Sequence, residues 1–300
     1  MEYRTFSPSI TISRIAAGCM SLPAVENDYT RLIAEAVDLG INYFDTADLY
    51  QDGLNEILLG KALKGRRSEV IIATKGGNVL SPDNGQTTWD ASPKHLLDAV
   101  EASLKRLDTD HIDFYQLHGG TISDDIPAVV RLFENLHAQG KIIEYGISSI
   151  RPNLIRKFIE TGSLAGIMMQ YSLLDRRPEE TVFHLLREKG IPVLCRGALT
   201  SGLLVDKPAR NYLKHSAAEV EKAKAAVEDL VRHNRTKAAV LLQFALAEPA
   251  IISAVTGFRS SSQLKEIVGS LDAPQLSLLE IQMLKDSIAA LNYEEHLLTV

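Results

Sequence analysis

Several things are scarce in this chain, and each scarcity narrows what it does. Only two cysteines occur in 300 residues, Cys19 and Cys195, and neither lies in a Cys-x-x-Cys arrangement. Two thiols are too few to staple a chain of this length, so a reducing, cytoplasmic setting is expected. Basic charge is not in excess: 32 Lys and Arg face 38 Asp and Glu, for a net charge of −6. That argues against a nucleic-acid partner. The longest basic cluster, Lys61 to Arg67, is broken by Ala, Leu and Gly and reads as a solvated helix end. Long apolar runs are missing too. The stretch AAVLLQFALA (238–247) is too short for a membrane span and contains a glutamine. The opening MEYRTFSPSI lacks the apolar core of a secretory signal. A soluble protein without a membrane partner is expected.

What the chain does have is a repeated order of strand-like and helix-like segments. Hydrophobic residues make up 45% of it, enough for one large core. Short apolar runs at 41–44, 70–74, 112–117, 142–147, 166–169, 191–195 and 251–255 read as buried strands, after a first strand at 13–18. Helical patterns lie between them at 27–39, 53–63, 93–107, 125–138, 152–161, 178–189 and 261–268. Gly40, Gly140, Gly162 and Gly190 stand at helix ends, and Ser92-Pro93 is a helix start. A polar, Ala-rich stretch at 216–247 reads as helical, and a last helix covers 275–291. The segment GGNVLSPDNGQTTWD is rich in Gly, Pro, Asn and Asp and reads as a long irregular loop.

About eight strand–helix units imply a parallel sheet with right-handed crossovers. They suggest an α/β fold: one (β/α)8 TIM barrel over residues 1–300, with extra loops and a C-terminal helix. A doubly wound sheet is the alternative. It would usually carry Gly-x-Gly-x-x-Gly after its first strand, and the sequence there is AAGCM.

Four polar residues follow three of these apolar runs: Asp45 and Tyr50, Lys75, and His118. In a barrel the ends of consecutive strands converge on one pocket. A free tyrosine, with a pKa of about 10, is a poor proton donor at neutral pH, and a neighbouring cation lowers that value. Lys75 would be the cation, and Asp45 its buried counter-charge. His118 would orient a substrate oxygen. Singly, each residue has a plainer reading: a helix cap at Asp45-Thr46, a rim tyrosine, a surface lysine, a loop histidine. Together they point to chemistry on a carbonyl or an alcohol. A metal site is disfavoured, because His118 and Asp45 have no second histidine or carboxylate beside them in the pattern.

The motifs FDTADLY (44–50), IIATKGG (71–77) and DFYQLH (113–118) resemble signatures of the aldo-keto reductase superfamily, closest to its bacterial general-reductase branch. The resemblance runs from GCM near the N-terminus to VTGFRSSSQLKE (255–266). It implies a (β/α)8 barrel that binds NADP(H) without a Rossmann motif. It also implies a catalytic tetrad of Asp45, Tyr50, Lys75 and His118, with Tyr50 as proton donor to an aldehyde or ketone.

The same resemblance assigns a cofactor side. Ser148 and Ser149 stand where the family contacts the nicotinamide carboxamide, although the usual second residue is Asn. Gln170 would take the other side of that group, with Tyr171 shaping the floor. Arg196 and Gly197 stand where many members have a tyrosine that stacks on the nicotinamide. A guanidinium also stacks on a flat ring, and its charge would disfavour the oxidised, cationic nicotinamide. Gly197, Leu199, Gly202 and Leu203 resemble a loop along the pyrophosphate. Gly257, Arg259, Ser260, Gln263 and Glu266 resemble the adenosine end, with Arg259 facing a 2′-phosphate. Ile267 replaces a common Asn there.

Substrate walls would come from Cys19, Met20, Leu49 and Trp89, with Gly119-Gly120 making a roomy wall beyond His118. Cys19 reads as a small buried hydrophobe rather than a redox group. The partner implied is a small carbonyl or alcohol. With no coiled coil or apolar stripe evident, a monomer is favoured. Two other classes stay open: a barrel aldolase or isomerase using Lys75 as a Schiff-base amine, and a cofactor-binding regulatory subunit on the same scaffold.

Overall fold

The structure, a computed structural model, describes residues 1–80 and 86–297. A hairpin of β1 (Tyr3–Thr5) and β2 (Thr11–Ser13) comes first. Then follow β3 (Ile15–Gly18), α1 (Glu26–Asp38), β4 (Tyr43–Asp45), α2 (Leu54–Ala62), β5 (Ile71–Gly76), β6 (Asn78–Leu80), β7 (Thr87–Trp89) and α3 (Pro93–Leu107). The middle of the chain forms β8 (Ile112–Leu117), α4 (Ile126–Ala138), β9 (Ile142–Ser148), α5 (Pro152–Thr161), β10 (Gly166–Gln170), α6 (Val182–Glu188) and β11 (Val193–Arg196). The last part forms α7 (Ala217–Asp229), α8 (Lys237–Leu246), β12 (Ile251–Thr256), α9 (Ser261–Gly269) and α10 (Leu278–Ser287).

Strands β3, β4, β5, β8, β9, β10, β11 and β12 close into a parallel barrel in that order, and β12 pairs back onto β3. This is the (β/α)8 barrel the alternation suggests. The strands are buried on both faces, which is why they read as continuous apolar runs. One face meets the helices: Ile72, Tyr115, Ile147 and Met169 pack in the layer between barrel and helices. The other face fills the barrel: Ala16, Tyr43, Ala73, Phe114, Met168, Leu194 and Val255 form an inner cluster.

The N-terminal hairpin, which the periodicity does not single out, closes the floor of the barrel. Phe6, Ile10 and Ile12 join the inner cluster, and Phe6 meets Phe114 edge-on with ring centroids 4.8 Å apart. The floor is tight: a Cβ at Gly166 would sit 2.3 Å from the Phe6 ring. The hairpin plugs this end of the barrel, and the polar strand ends Asp45, Lys75 and Arg196 lie at the opposite, C-terminal end.

Four expectations need correction. The segment after Lys75 is not wholly irregular: β6 and β7 pair antiparallel, Asn78 opposite Trp89. Thr-Thr-Trp is good strand sequence, and it outweighs the turn formers; residues 81–85 of this segment lie outside the described residues. The helical stretch 216–247 is interrupted between α7 and α8. Arg232 and Arg235 bridge across a tight turn with Asn234 at φ +87°, and Thr236 then caps α8 through the Ala239 N–H. The first turn expected of helix 178–189 is a separate 3-10 turn, Arg177–Glu179. Helix α10 ends at Ser287, and it exposes Leu278, Leu279 and Met283, an apolar strip not foreseen from sequence. Among the described residues no helix is long and apolar enough to cross a membrane. Both cysteines are buried and unpaired.

Candidate active site

The barrel brings its polar strand ends together at the open mouth. Asp45 is the last residue of β4, Lys75 the fifth of β5, and His118 the first beyond β8. Ser148, Gln170 and Arg196 end β9, β10 and β11.

Lys75 and Asp45 form a buried ion pair, Nζ to Oδ1 2.6 Å, with side chains 1% and 5% exposed. The Lys75 ammonium also donates to the Thr46 carbonyl at 2.6 Å and to the Tyr50 hydroxyl at 3.4 Å. It stands 5.0 Å from the centre of the Tyr50 ring. Burial pulls the Lys75 pKa down, but the Asp45 carboxylate, with the hydrogen bonds to Asp45 and Tyr50, outweighs it and holds it above the usual lysine range. Lys75 is therefore a cation at neutral pH. For Asp45 burial dominates and raises the carboxyl pKa, opposed by Lys75.

The loop that carries Tyr50 is held from below. The Thr46 and Asp48 N–H groups donate to the Ala73 and Lys75 carbonyls at 2.8 and 3.1 Å, continuing the ladder onto β5. Gln51 and Asp52 have φ of +53° and +54°, so the chain turns sharply into α2 just after Tyr50.

His118 stands edge-on to Tyr50, ring centroids 6.0 Å apart. Its Nδ1 is buried without a protein partner. Burial, then the positive charges of Lys75 and Arg196, push its pKa down to about 3. The imidazole is neutral at physiological pH and keeps one N–H to donate.

Sequence reasoning missed three supports. Gln116, in register with Lys75, donates from Nε2 to Asp45 Oδ2 at 3.3 Å, and its Oε1 is buried without a partner. The signal was available: residues two apart on a strand share a face, and Gln116 is two before His118. Asn55 ties the Thr46 hydroxyl (2.8 Å) to the Cys19 carbonyl (3.0 Å), and no local pattern marks it. Arg31 of α1 reaches Ser261 Oγ at 2.8 Å, beside Arg259, from far away in sequence.

On the cofactor side the placements are mixed. Gln170 has no idle amide: Nε2 meets Asp175 Oδ2 at 2.8 Å and the Tyr212 hydroxyl at 3.2 Å, and Oε1 accepts from Arg196 Nη1 at 2.8 Å. The Ser149 hydroxyl accepts from the Arg151 N–H at 3.2 Å, the helix-start contact, while Ser148 is buried at its strand end. Gly197 and Gly202 have φ of +80° and +84°, conformations that suit glycine, in a loop that also holds Leu199. The side chains of Tyr171 and Leu203 do not reach the mouth. Tyr171 stacks on Phe244 and donates its hydroxyl to Glu179, and Leu203 is in the layer under the helices. Beyond β12, Gly257 is exposed, Arg259 is exposed, and Ser260 caps α9 through the Gln263 N–H. Gln263 Oε1 accepts from the Arg259 N–H at 2.8 Å. Glu266 is exposed one turn further along α9.

Of the expected substrate walls, Met20 is 62% exposed at the mouth and Leu49 and Trp89 are half-buried. Cys19 is not a wall. It packs in the layer between barrel and helices, and burial raises its thiol pKa to about 12.

Residues 14–289 match the model of the Aldo/keto reductase family. The chain belongs to this family. It is an oxidoreductase. It is 42% identical to YqkF of Bacillus subtilis (strain 168), an uncharacterized oxidoreductase, over 296 residues and 96% of each chain. It is 29% identical over 316 residues to the NADH-specific methylglyoxal reductase of Escherichia coli (strain K12), covering 94% of this chain and 96% of that one. Among solved structures, the holo form of aldo-keto reductase AKR11C1 from Bacillus halodurans is 41% identical and superposes with a TM-score of 0.92, covering 99% of each chain.

Proposed function

We propose that the protein reduces aldehydes and ketones to alcohols, reversibly, with NADPH as cofactor and Tyr50 as proton donor. One observation carries the reading: the Tyr50 hydroxyl lies 3.4 Å from a buried ammonium that Asp45 holds at 2.6 Å. A cation so placed stabilises the tyrosinate left after proton transfer, and it is fixed before the reaction starts. Neutral His118 orients the carbonyl oxygen against the tyrosine. Gln116 holds the far side of the Asp45 carboxylate.

The residues present fit a phosphorylated dinucleotide. The Arg259 guanidinium is exposed and has no hydrogen-bond or ionic partner among the described residues, and it stands at the start of α9. An Arg and a helix N-terminus together favour a phosphate over a bare ribose, which supports NADPH rather than NADH. Arg196 and Ser148 would hold the nicotinamide end, with Gln170 offering the second lone pair of its Oε1, whose first is taken by Arg196. When bound, the nicotinamide supplies a hydride to the carbonyl carbon; the side chains orient the oxygen and move the proton.

The test is loss of NADPH absorbance with a reactive aromatic aldehyde, with Tyr50→Phe as control. Turnover should fall by about 100-fold or more in the variant, with NADPH binding retained. Unchanged turnover would reject Tyr50 as the donor. NADPH binding without reduction of any carbonyl by the wild type would point to a cofactor sensor instead.

A further inference from the structure

Trp89 is the single tryptophan of the chain. It ends β7, yet its ring lies across the ends of two other strands. Gly77, one residue beyond β5, has φ +121°, and a Cβ there would come within 2.7 Å of the Trp89 Cη2 and 2.9 Å of its Cζ3. Gly119, two residues beyond β8, has φ +118°, and a Cβ there would sit 3.6 Å from the same Cζ3. The two glycines thus make a flat hollow, and the outer ring of the indole fills it. Of the two strands concerned, one carries Lys75 and the other leads directly into His118.

The indole is anchored at its other end. Nε1 donates to both carboxylate oxygens of Asp124, at 3.2 and 3.1 Å. Asp124 Oδ2 also accepts from the Thr121 N–H at 2.6 Å, which fixes the loop after His118. The strands bordering the ring are stitched in the same direction. Asn78 Nδ2 donates to the His118 carbonyl at 3.1 Å, and the Asp90 N–H donates to the Gly77 carbonyl at 2.9 Å.

We propose that Trp89 is a positioning residue: its indole clasps the turns after Lys75 and His118 to one another and keeps the His118 imidazole seated against Tyr50 and shielded from water. Gly119 is then part of the hollow for the clasp rather than of a roomy substrate wall. The catalytic consequence rests on the reductase reading above; the clasp itself does not.

Two independent readouts test it. The first is the imidazole titration of His118 by NMR, assigned among the eight histidines by its absence in His118→Gln. Wild-type His118 should stay neutral down to about pH 3, since burial is the main cause of its low value. In Trp89→Ala and in Asp124→Ala its midpoint should rise toward the ordinary histidine range of about 6.5. Trp89→Phe should fall between, and Asp124→Asn, which keeps an acceptor for the indole, should restore the wild-type titration. Emission of the lone Trp89 should shift to the red in Asp124→Ala and return in Asp124→Asn. The second readout is kinetic: kcat for an aldehyde should fall about 10- to 100-fold in Trp89→Ala through misplacement of the reacting groups, with KM for NADPH unchanged. A His118 midpoint that stays near the wild-type value in folded Trp89→Phe and Asp124→Ala overturns the clasp. Should Trp89→Ala not fold, those two variants decide the question. An inactive wild type would sink the reductase reading while leaving the NMR result to judge the clasp.

Discussion

Gln116 donates to Asp45 Oδ2 at 3.3 Å while Lys75 holds Oδ1 at 2.6 Å, so both oxygens of one buried carboxylate are occupied by neighbouring strands. A charge pair this deep is tolerated only when both partners and their remaining lone pairs are satisfied. Asp45→Asn leaves a buried ammonium without its counter-charge and should cost about 3–5 kcal/mol of stability. Pairing it with Lys75→Met should recover a large part of that loss. Urea unfolding of the single and double variants checks this, and simple additivity of the two losses would show that the pair does not act as a unit.

Acid should destabilise the native state through His118. Its pKa is about 3 when folded, against about 6.5 in an unfolded chain. Between those values the unfolded chain holds a proton that the folded protein has released, so stability rises with pH across the window. His118→Gln should flatten the slope of unfolding free energy between pH 3 and 6.5. An unaltered slope in the variant would mean that His118 is not buried neutral.

Asp48 should act in the opposite sense. Burial, and then the nearby Glu56 charge, raise its carboxyl pKa from 3.8 to about 7. Its Oδ1 is buried without a partner, and it lies by Gly76 together with the unpartnered hydroxyl of Tyr115. Here the folded protein holds the extra proton, so this group's stabilisation is lost as pH rises from about 4 through about 7. Asp48→Asn, neutral at every pH, should remove that decline. A stability profile that matches the wild type above pH 6 would refute the assignment.

Arg196 should bias cofactor affinity. Its Nη1 is bound to Gln170 Oε1 at 2.8 Å, and its charge is felt at Asp45 and His118. A cation near the nicotinamide disfavours the positively charged oxidised ring. Arg196→Tyr should therefore lower the ratio of NADPH to NADP+ affinity by about fivefold, the scale of two like charges about 4 Å apart in water. Equilibrium binding of both cofactors measures it, and an unchanged ratio would remove Arg196 from cofactor discrimination.

The local sequence determined the barrel and where Asp45, Lys75 and His118 stand in it. Strands buried on both faces must be apolar along their length, and helices between them need caps and one apolar stripe, so both are written in neighbouring residues. Asp45, Lys75 and His118 are legible for the same reason, since each follows its own apolar run. Tertiary structure alone decided which polar groups meet. Asn55 bonds to Thr46 and Cys19, Arg31 reaches Ser261, and Trp89 settles over glycines just beyond two other strands. It likewise turned Tyr171 and Cys19 away from the mouth and into the layer beneath the helices. Such contacts depend on strand order, register and the face each side chain takes once the barrel closes. No short stretch of sequence carries that information, because the energy that selects it comes from groups far apart along the chain.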